Sequence, residues 1–375
     1  MQITKFLFKT IVLVLFIFFS ISSCTNDNRI KIGVLFPKTG DAGSYGEKGE
    51  KAIQLAIKEI NSNGGVNGTE IKVVIEDSKA EPKTGVNAAQ KLISTDKVVA
   101  IVGDIVSSVT LPVSPICEKN KVVLIAPTSS APDITNAGEY IYRVWPSDLA
   151  EGAAIGTFAK NKGYKNAVIL HLNNDYGISI SEIFKSNFES DSGKVALTSA
   201  YQENQKDFKT ILSKAKVKNP DVIYTAGYYS DVARILVQAK ELKLNIQFLG
   251  VTAIEDDEFL KIAGNAANGI IYPLATGFDI NSKNMKTQEF ITNFKQEYHY
   301  MPGWVEAHCY DAFMLIVEGL KNSKGKYNGT SIKNYFDEMK SYDGVTGNIV
   351  FDKNGDVLKP IQFKTVRNGK FEPLE

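Results

Sequence analysis

Short apolar runs recur along this chain, most of them followed by a polar or glycine-rich turn and then by apolar positions at helical spacing. Ile30 to Phe36 is the first such run after the N-terminal region. In the segment 47–61, Ala52, Ile53, Ala56, Ile57 and Ile60 fall on one helical face. Gly64-Gly65 stops that helix, and Ile71 to Glu76 returns as a strand. Helix 83–94, strand 98–102, helix 108–119 and strand 121–126 keep the same rhythm. Continuously apolar strands separated by helices of this length predict right-handed βαβ units and a parallel sheet covered on both faces.

The pattern then repeats. Ala167 to Leu172 leads to Tyr176-Gly177 and a helix, as 30–36 leads to Tyr45-Gly46 and a helix. Val98–Gly103, Ser107-Ser108, a helix and Val122–Ala126 are echoed by Val222–Ala226, Gly227-Tyr228, a helix and Ile246–Gly250. Two similar α/β halves predict two lobes, with ligand sites at the carboxyl ends of the strands of each. No stretch rich in Pro, Ser or Gly separates the halves, which predicts several stiff crossings rather than one tether.

The N-terminal region reads differently. Lys5 and Lys9 precede an unbroken apolar run, Ile11 to Phe19, which is too short to span a bilayer and suits a signal peptide. It ends in Ile21-Ser22-Ser23-Cys24, which resembles the bacterial lipobox. That resemblance implies residues 1–24 as a lipoprotein signal, lipidation at Cys24 and a polar tether over 25–28. The alternative is an ordinary signal peptide or short anchor that contains a cysteine. Several acyl chains on one cysteine suffice for stable anchoring. Without 1–24, Lys+Arg falls from 43 to 41 against 42 Asp+Glu, a net charge near −1. Nothing there attracts nucleic acid. The remaining length suits two domains. Cys117 and Cys309 could form a disulfide or stay as buried thiols, and the sequence leaves both open.

Motifs for chemistry are weak. Gly40-x-x-Gly43-x-x-Gly46 follows a strand but is not the dinucleotide pattern, and reads as a turn. Asp352-Lys-Asn-Gly-Asp356 lacks the terminal Glu of a calcium loop and reads as a β-turn. His171, His299 and His308 stand far apart, and no Gly-x-Ser-x-Gly elbow is present. Neither an enzyme nor a metal or other cofactor is expected. What remains are hydroxyls and aromatics at strand-to-helix turns. Ser107-Ser108 begins a helix, where a serine can cap or can offer its hydroxyl, with free amides, to a carboxylate. Thr128-Ser129-Ser130 offers the same choice. Tyr45, Tyr176 and Tyr228 stand at equivalent turns and suggest the aromatic walls of one cleft.

Together these features resemble the periplasmic leucine/isoleucine/valine-binding proteins, the type I substrate-binding components of ABC importers. The likeness runs through Lys31-Ile-Gly-Val-Leu, Thr39-Gly40…Tyr45-Gly46, Ala56-Ile-Lys-Glu-Ile-Asn-Ser-Asn-Gly-Gly65 and Ala126-Pro-Thr-Ser-Ser130. It continues in Tyr142-Arg143…Pro146-Ser-Asp148, Asp175-Tyr-Gly177, Tyr310-Asp-Ala312 and Gly347…Phe351-Asp352…Gly355-Asp356. The resemblance implies two Rossmann-like lobes with parallel sheets and a hinged cleft. Lobe one would comprise 29–147 and 275–348, and lobe two 148–274 and 349–375. Crossings would fall near Pro146–Asp148, Pro273–Thr276 and Gly347–Phe351. It implies a monomer that captures a small polar ligand, a branched-chain or other amino acid, and docks on permease subunits. The rivals are a sensor for signalling and a binder of another carboxylate or amide.

By position, Ser107 and Ser130 would hold the ligand carboxylate, and the carbonyl of Thr128 would face its ammonium. Tyr176 and Tyr228 would come down from lobe two, and Tyr45 would be a wall of lobe one. One departure stands out. Members of this family commonly place an acid just after the strand ending Phe248-Leu249-Gly250, and this chain has Thr252 there. A buried ammonium without a counter-charge is costly. Either a shifted acid replaces it, Glu255 ahead of Asp256 and Asp257, or the ligand is not an α-amino acid.

Overall fold

The computed structural model describes residues 27–375; the leader expected over 1–24, with Cys24, lies outside them. The first lobe opens with β1 (Ile30–Phe36), α1 (Gly43–Ser62), β2 (Ile71–Asp77), α2 (Pro82–Lys91), β3 (Ala100–Gly103), α3 (Ser107–Asn120), β4 (Val123–Ala126) and β5 (Ile141–Arg143). Its sheet is parallel throughout, in the order β2-β1-β3-β4-β5, with Ile32 between Val73 and Ala100. β3 and β4 are buried at every residue, because helices cover both faces.

The second lobe runs through α4 (Asp148–Asn161), β6 (Asn166–Leu172), α5 (Asp175–Phe188), β7 (Lys194–Tyr201), α6 (Lys209–Val217), β8 (Val222–Ala226), α7 (Tyr229–Glu241), β9 (Gln247–Leu249), α8 (Asp257–Ala263) and β10 (Ile271–Ala275). The chain then returns to the first lobe as α9 (Met285–Tyr298), α10 (Trp304–Lys321), which packs on α1, α11 (Gly329–Glu338) and the hairpin β11 (Tyr342–Gly344) and β12 (Gly347–Ile349). It ends in the second lobe with β13 (Ile361–Arg367) and β14 (Lys370–Pro373). These two strands add an antiparallel edge to an otherwise parallel sheet, ordered β14-β13-β10-β9-β8-β6-β7. The α/β class and the two lobes agree with the reading of the sequence.

The Tyr-Gly echo has a packing cause. A Cβ at Gly46 would lie 2.0 Å from the Pro37 carbonyl oxygen, and one at Gly177 would lie 2.2 Å from that of Leu172. In both lobes the first helical turn therefore presses against the end of the preceding strand, which only glycine permits. α1 begins at Gly43, ahead of the expected 47, so Tyr45 and Tyr176 sit in first helical turns rather than in loops.

The chain crosses between the lobes over residues 144–147, after β10, and between β12 and β13. Pro273 lies inside β10, paired with Phe363 of β13, so the second crossing begins after that strand. Phe351 packs 5.0 Å from Tyr142 and 5.4 Å from Phe336, which keeps the start of the third crossing on the first lobe. Farther along, Asp352 folds the 352–356 turn by accepting from the amides of Asn354 and Asp356. Cys117 and Cys309 are free, buried thiols rather than a disulfide.

Candidate ligand-binding site

Between the lobes lies a cavity with about 410 Å³ of empty space, the solvent at its mouth included. Its first-lobe wall is built where β3 and β4 end. The cap position of α3 is Val106, whose side chain cannot cap, so Ser107 and Ser108 occupy the first helical turn, whose amides lack intrahelical partners. Ser107 caps nothing. Its Oγ accepts from the amides of Ser130 and Ala131, each at 3.1 Å, and so clamps the 128–131 loop beside the helix start. With both lone pairs engaged, the hydroxyl proton of Ser107 is left to donate. Thr128 Oγ1 donates to Ile105 O at 2.9 Å, and Ser129 Oγ donates to Asp104 O at 2.9 Å.

Below that loop, Arg143 is fully buried. Its Nη1 donates to Ser130 O and Ala131 O at 3.1 and 3.0 Å. Its Nη2 donates to Thr135 Oγ1 at 2.7 Å and pairs with Asp356 at 2.6 Å. The loop is thereby tied to the third crossing.

The second lobe contributes Tyr176 and Tyr228, stacked at 5.8 Å and nearly parallel. Tyr45 meets Tyr228 edge-on at 6.3 Å, and its hydroxyl donates across the lobes to Ala253 O. Burial holds the Tyr45 and Tyr176 hydroxyls well above the usual tyrosine range, so both stay protonated donors. Trp145, from the first crossing, and Trp304, which opens α10, pack 4.7 Å apart at the cavity. Trp304 Nε1 donates to Glu255 O of the second lobe at 2.9 Å.

Of the residues singled out in the sequence, Tyr45, Ser107, Thr128, Ser130, Tyr176, Tyr228 and Thr252 line the cavity, and Ser108, Ser129 and Glu255 do not. Ser108 Oγ is buried without a partner, and Ser129 shares a 2.7 Å hydrogen bond with Thr110 beneath the loop. Glu255 requires correction as the shifted acid. A 3₁₀ turn over Thr252–Ile254 carries it away from the cavity, to Lys364 at 2.6 Å and to the Tyr272 hydroxyl at 2.6 Å. Asp256 faces the first lobe instead, pairing with Lys48 at 2.9 Å and accepting from Ser44 Oγ.

The acid that does reach the cavity is Glu151, in the first turn of α4 and 4% exposed. Its Oε1 accepts from Thr252 N at 2.8 Å, and its Oε2 lies 2.8 Å from Thr252 Oγ1. Burial first, and the neighbouring Asp148 second, push its carboxyl up to about 8. Burial likewise pushes Asp148 up to about 7, partly offset by the hydroxyls of Ser130 and Ser179. Trp145 and Trp304 also escape the reading of the sequence, although they are the only two tryptophans of the chain.

Two parallel-sheet lobes, joined by three crossings and closing on a cavity at their strand ends, make a clamp for a small molecule. Comparison with known proteins is consistent with that class. The periplasmic binding protein family matches residues 29–370. A leucine-, isoleucine-, valine-, threonine- and alanine-binding protein of Pseudomonas aeruginosa is 31% identical over 338 residues, covering 90% of this chain and 89% of that protein. The structure of a leucine-binding protein from Thermotoga maritima superposes with a TM-score of 0.86 at 30% identity, over 92% of this chain and 98% of the other. An ABC-transporter solute-binding protein of Rhodopseudomonas palustris, in complex with 3,4-dihydroxybenzoic acid, gives 0.81 at 26% identity, over 92% and 96%. The chain belongs to the periplasmic binding protein family, in its type I, leucine/isoleucine/valine-binding group.

Proposed function

We propose that this chain captures a small amino acid outside the cytoplasm and presents it to an ABC permease while held at the membrane by a lipid on Cys24. The observation that carries this reading is the hydroxyl-lined end of the cavity. There the free proton of Ser107, the loop residues Thr128 and Ser130, and the open amides of the α3 start converge where a carboxylate would sit. The relatives named for leucine and similar amino acids support it. A thermal-shift and calorimetry screen of the chain without residues 1–24, unfolded and refolded to strip carried-over ligand, tests it. An amino acid well above its dissociation constant raises the melting point. Silence toward every amino acid would remove the reading.

Replacing Ser107 by alanine removes a donor to the carboxylate and frees the amides of Ser130 and Ala131 at once. Binding should weaken at least tenfold, about 1.4 kcal/mol, with the circular dichroism unchanged; equal affinity in calorimetry would take Ser107 out of the site. For the anchor, Cys24→Ala should move the protein from the membrane fraction to the soluble one.

A second reading rests on the walls. Five aromatics, Tyr45, Trp145, Tyr176, Tyr228 and Trp304, line the cavity, and the Rhodopseudomonas neighbour holds an aromatic carboxylate. An aromatic acid without an amine would use the same hydroxyl end, so benzoate and 3,4-dihydroxybenzoate belong in the screen.

A further inference from the structure

Apart from three tyrosines, Glu151 is the only ionisable residue lining the cavity among the described residues. We propose that Glu151 takes the cationic group of the ligand and that each capture releases a proton from Glu151 to solvent. The inference rests on the amino-acid reading above and names the residue and the proton traffic of that site.

The Thr252 hydroxyl has two contacts that each need a proton, and only one proton to give. It lies 2.8 Å from Glu151 Oε2 and 2.8 Å from the carbonyl oxygen of Pro273. A backbone carbonyl can only accept. When Thr252 donates to Pro273, Glu151 must supply the proton of the other contact, and is then a neutral acid. Burial and the neighbouring Asp148 favour that form and outweigh the hydrogen bonds of Thr252, which favour the carboxylate. Asp148 faces Glu151 from the same first turn of α4, and Tyr176 on α5 and Tyr224 on β8 stand near it from the other sides. Arg143 acts on Asp148 rather than on Glu151. No cation reaches Glu151 from these elements, and burial raises its carboxyl to about 8.

An incoming ammonium reverses the balance. A positive group against Glu151 favours the carboxylate, the acid loses its proton to solvent, and the Thr252 hydroxyl turns from Pro273 to donate to it. Thr252 N already donates to Oε1 at 2.8 Å and continues to do so. The ammonium keeps all its protons, so one proton leaves per ligand bound. Below about pH 8 the acid form must be given up on binding, so affinity tightens as the pH rises toward 8 and stays level above it until the ligand's own ammonium titrates.

Calorimetry of the lipid-free mature chain with L-leucine, L-alanine, 4-methyl-2-oxopentanoate and benzoate decides this. The expected result is amino-acid binding whose apparent enthalpy at pH 7 depends on the ionisation enthalpy of the buffer, reporting proton release. Its dissociation constant should fall by up to about tenfold from pH 6 to pH 7. Glu151→Gln should bind the amino acid at least about thirtyfold more weakly and lose both the proton release and the pH slope. Amino-acid binding with no proton release overturns the inference and leaves the functional reading intact, as does a Glu151→Gln protein with unchanged affinity. Binding of benzoate or the oxo acid, with no amino acid bound, overturns both. Should the variant fail to fold, the buffer dependence of the unaltered protein decides between these outcomes.

Discussion

Arg143→Met should lower the unfolding free energy by about 3–5 kcal/mol, the range for breaking a buried ion pair from one side, and should abolish tight binding. The guanidinium is fully buried, and the substitution strips the partner from Asp356 and the donors from Ser130 O and Ala131 O. Methionine fills much of the volume but satisfies none of these groups, and a buried unmatched acceptor costs about 1–3 kcal/mol. The loss also uncouples two places. The 128–131 loop carries the hydroxyls of the site, while Asp356 sits on the third crossing. Asp356→Asn keeps an acceptor for Arg143 and should cost less. Guanidinium unfolding of both variants checks this; an unmoved midpoint for Arg143→Met would show the network to be idle.

Lys48→Met should weaken ligand binding by about thirtyfold, roughly 2 kcal/mol, with little change in the fold of either lobe. Lys48 lies on α1 of the first lobe and Asp256 ahead of α8 in the second, and the Asp256 side chain is wholly buried in the contact, with Lys48 19% exposed. Burial works against the charge on Lys48, yet Asp256 and Glu306 raise its pKa overall. Opening the lobes would return both groups to water, so the pair belongs to the closed form alone, and removing the lysine leaves a buried carboxylate that closing must tolerate. Added salt should do little here, because the pair is shielded, whereas the more exposed contact of Asp41 with Lys206 should weaken. Small-angle scattering with saturating ligand tests it; equal compaction and equal affinity in Lys48→Met would refute the latch.

Much of this architecture is legible in the sequence because the repeated rhythm of strand, Tyr-Gly or Ser-Ser turn and helix has a local cause in each lobe. Gly46 and Gly177 have to be glycines, and the hydroxyl turns have to follow strands, so their order along the chain locates one end of the cavity. The acid at the cavity is harder to read, for a physical reason. An acid cluster just past Thr252 looks like a shifted counter-charge, but a single 3₁₀ turn directs Glu255 to Lys364 and Asp256 to Lys48. Glu151 resembles an ordinary acid in a helix's first turn. Its sequence sign is subtler: Gly152, Ala153, Ala154, Ile155 and Gly156 follow it, leaving little polar surface for a solvated face. The antiparallel edge of β13 and β14 is equally hidden, since strands that close a sheet from the far end of a chain leave no local pattern of pairing.

The contact between Trp145 and Trp304 has a practical consequence. The chain contains no other tryptophan, and this pair joins a crossing segment to a side chain whose indole N–H reaches the opposite lobe. Opening would hydrate that indole and alter the coupling between the two rings. The intrinsic emission of the unlabelled protein is therefore an optical gauge of whether the clamp is shut, usable as a ligand sensor without any attached dye.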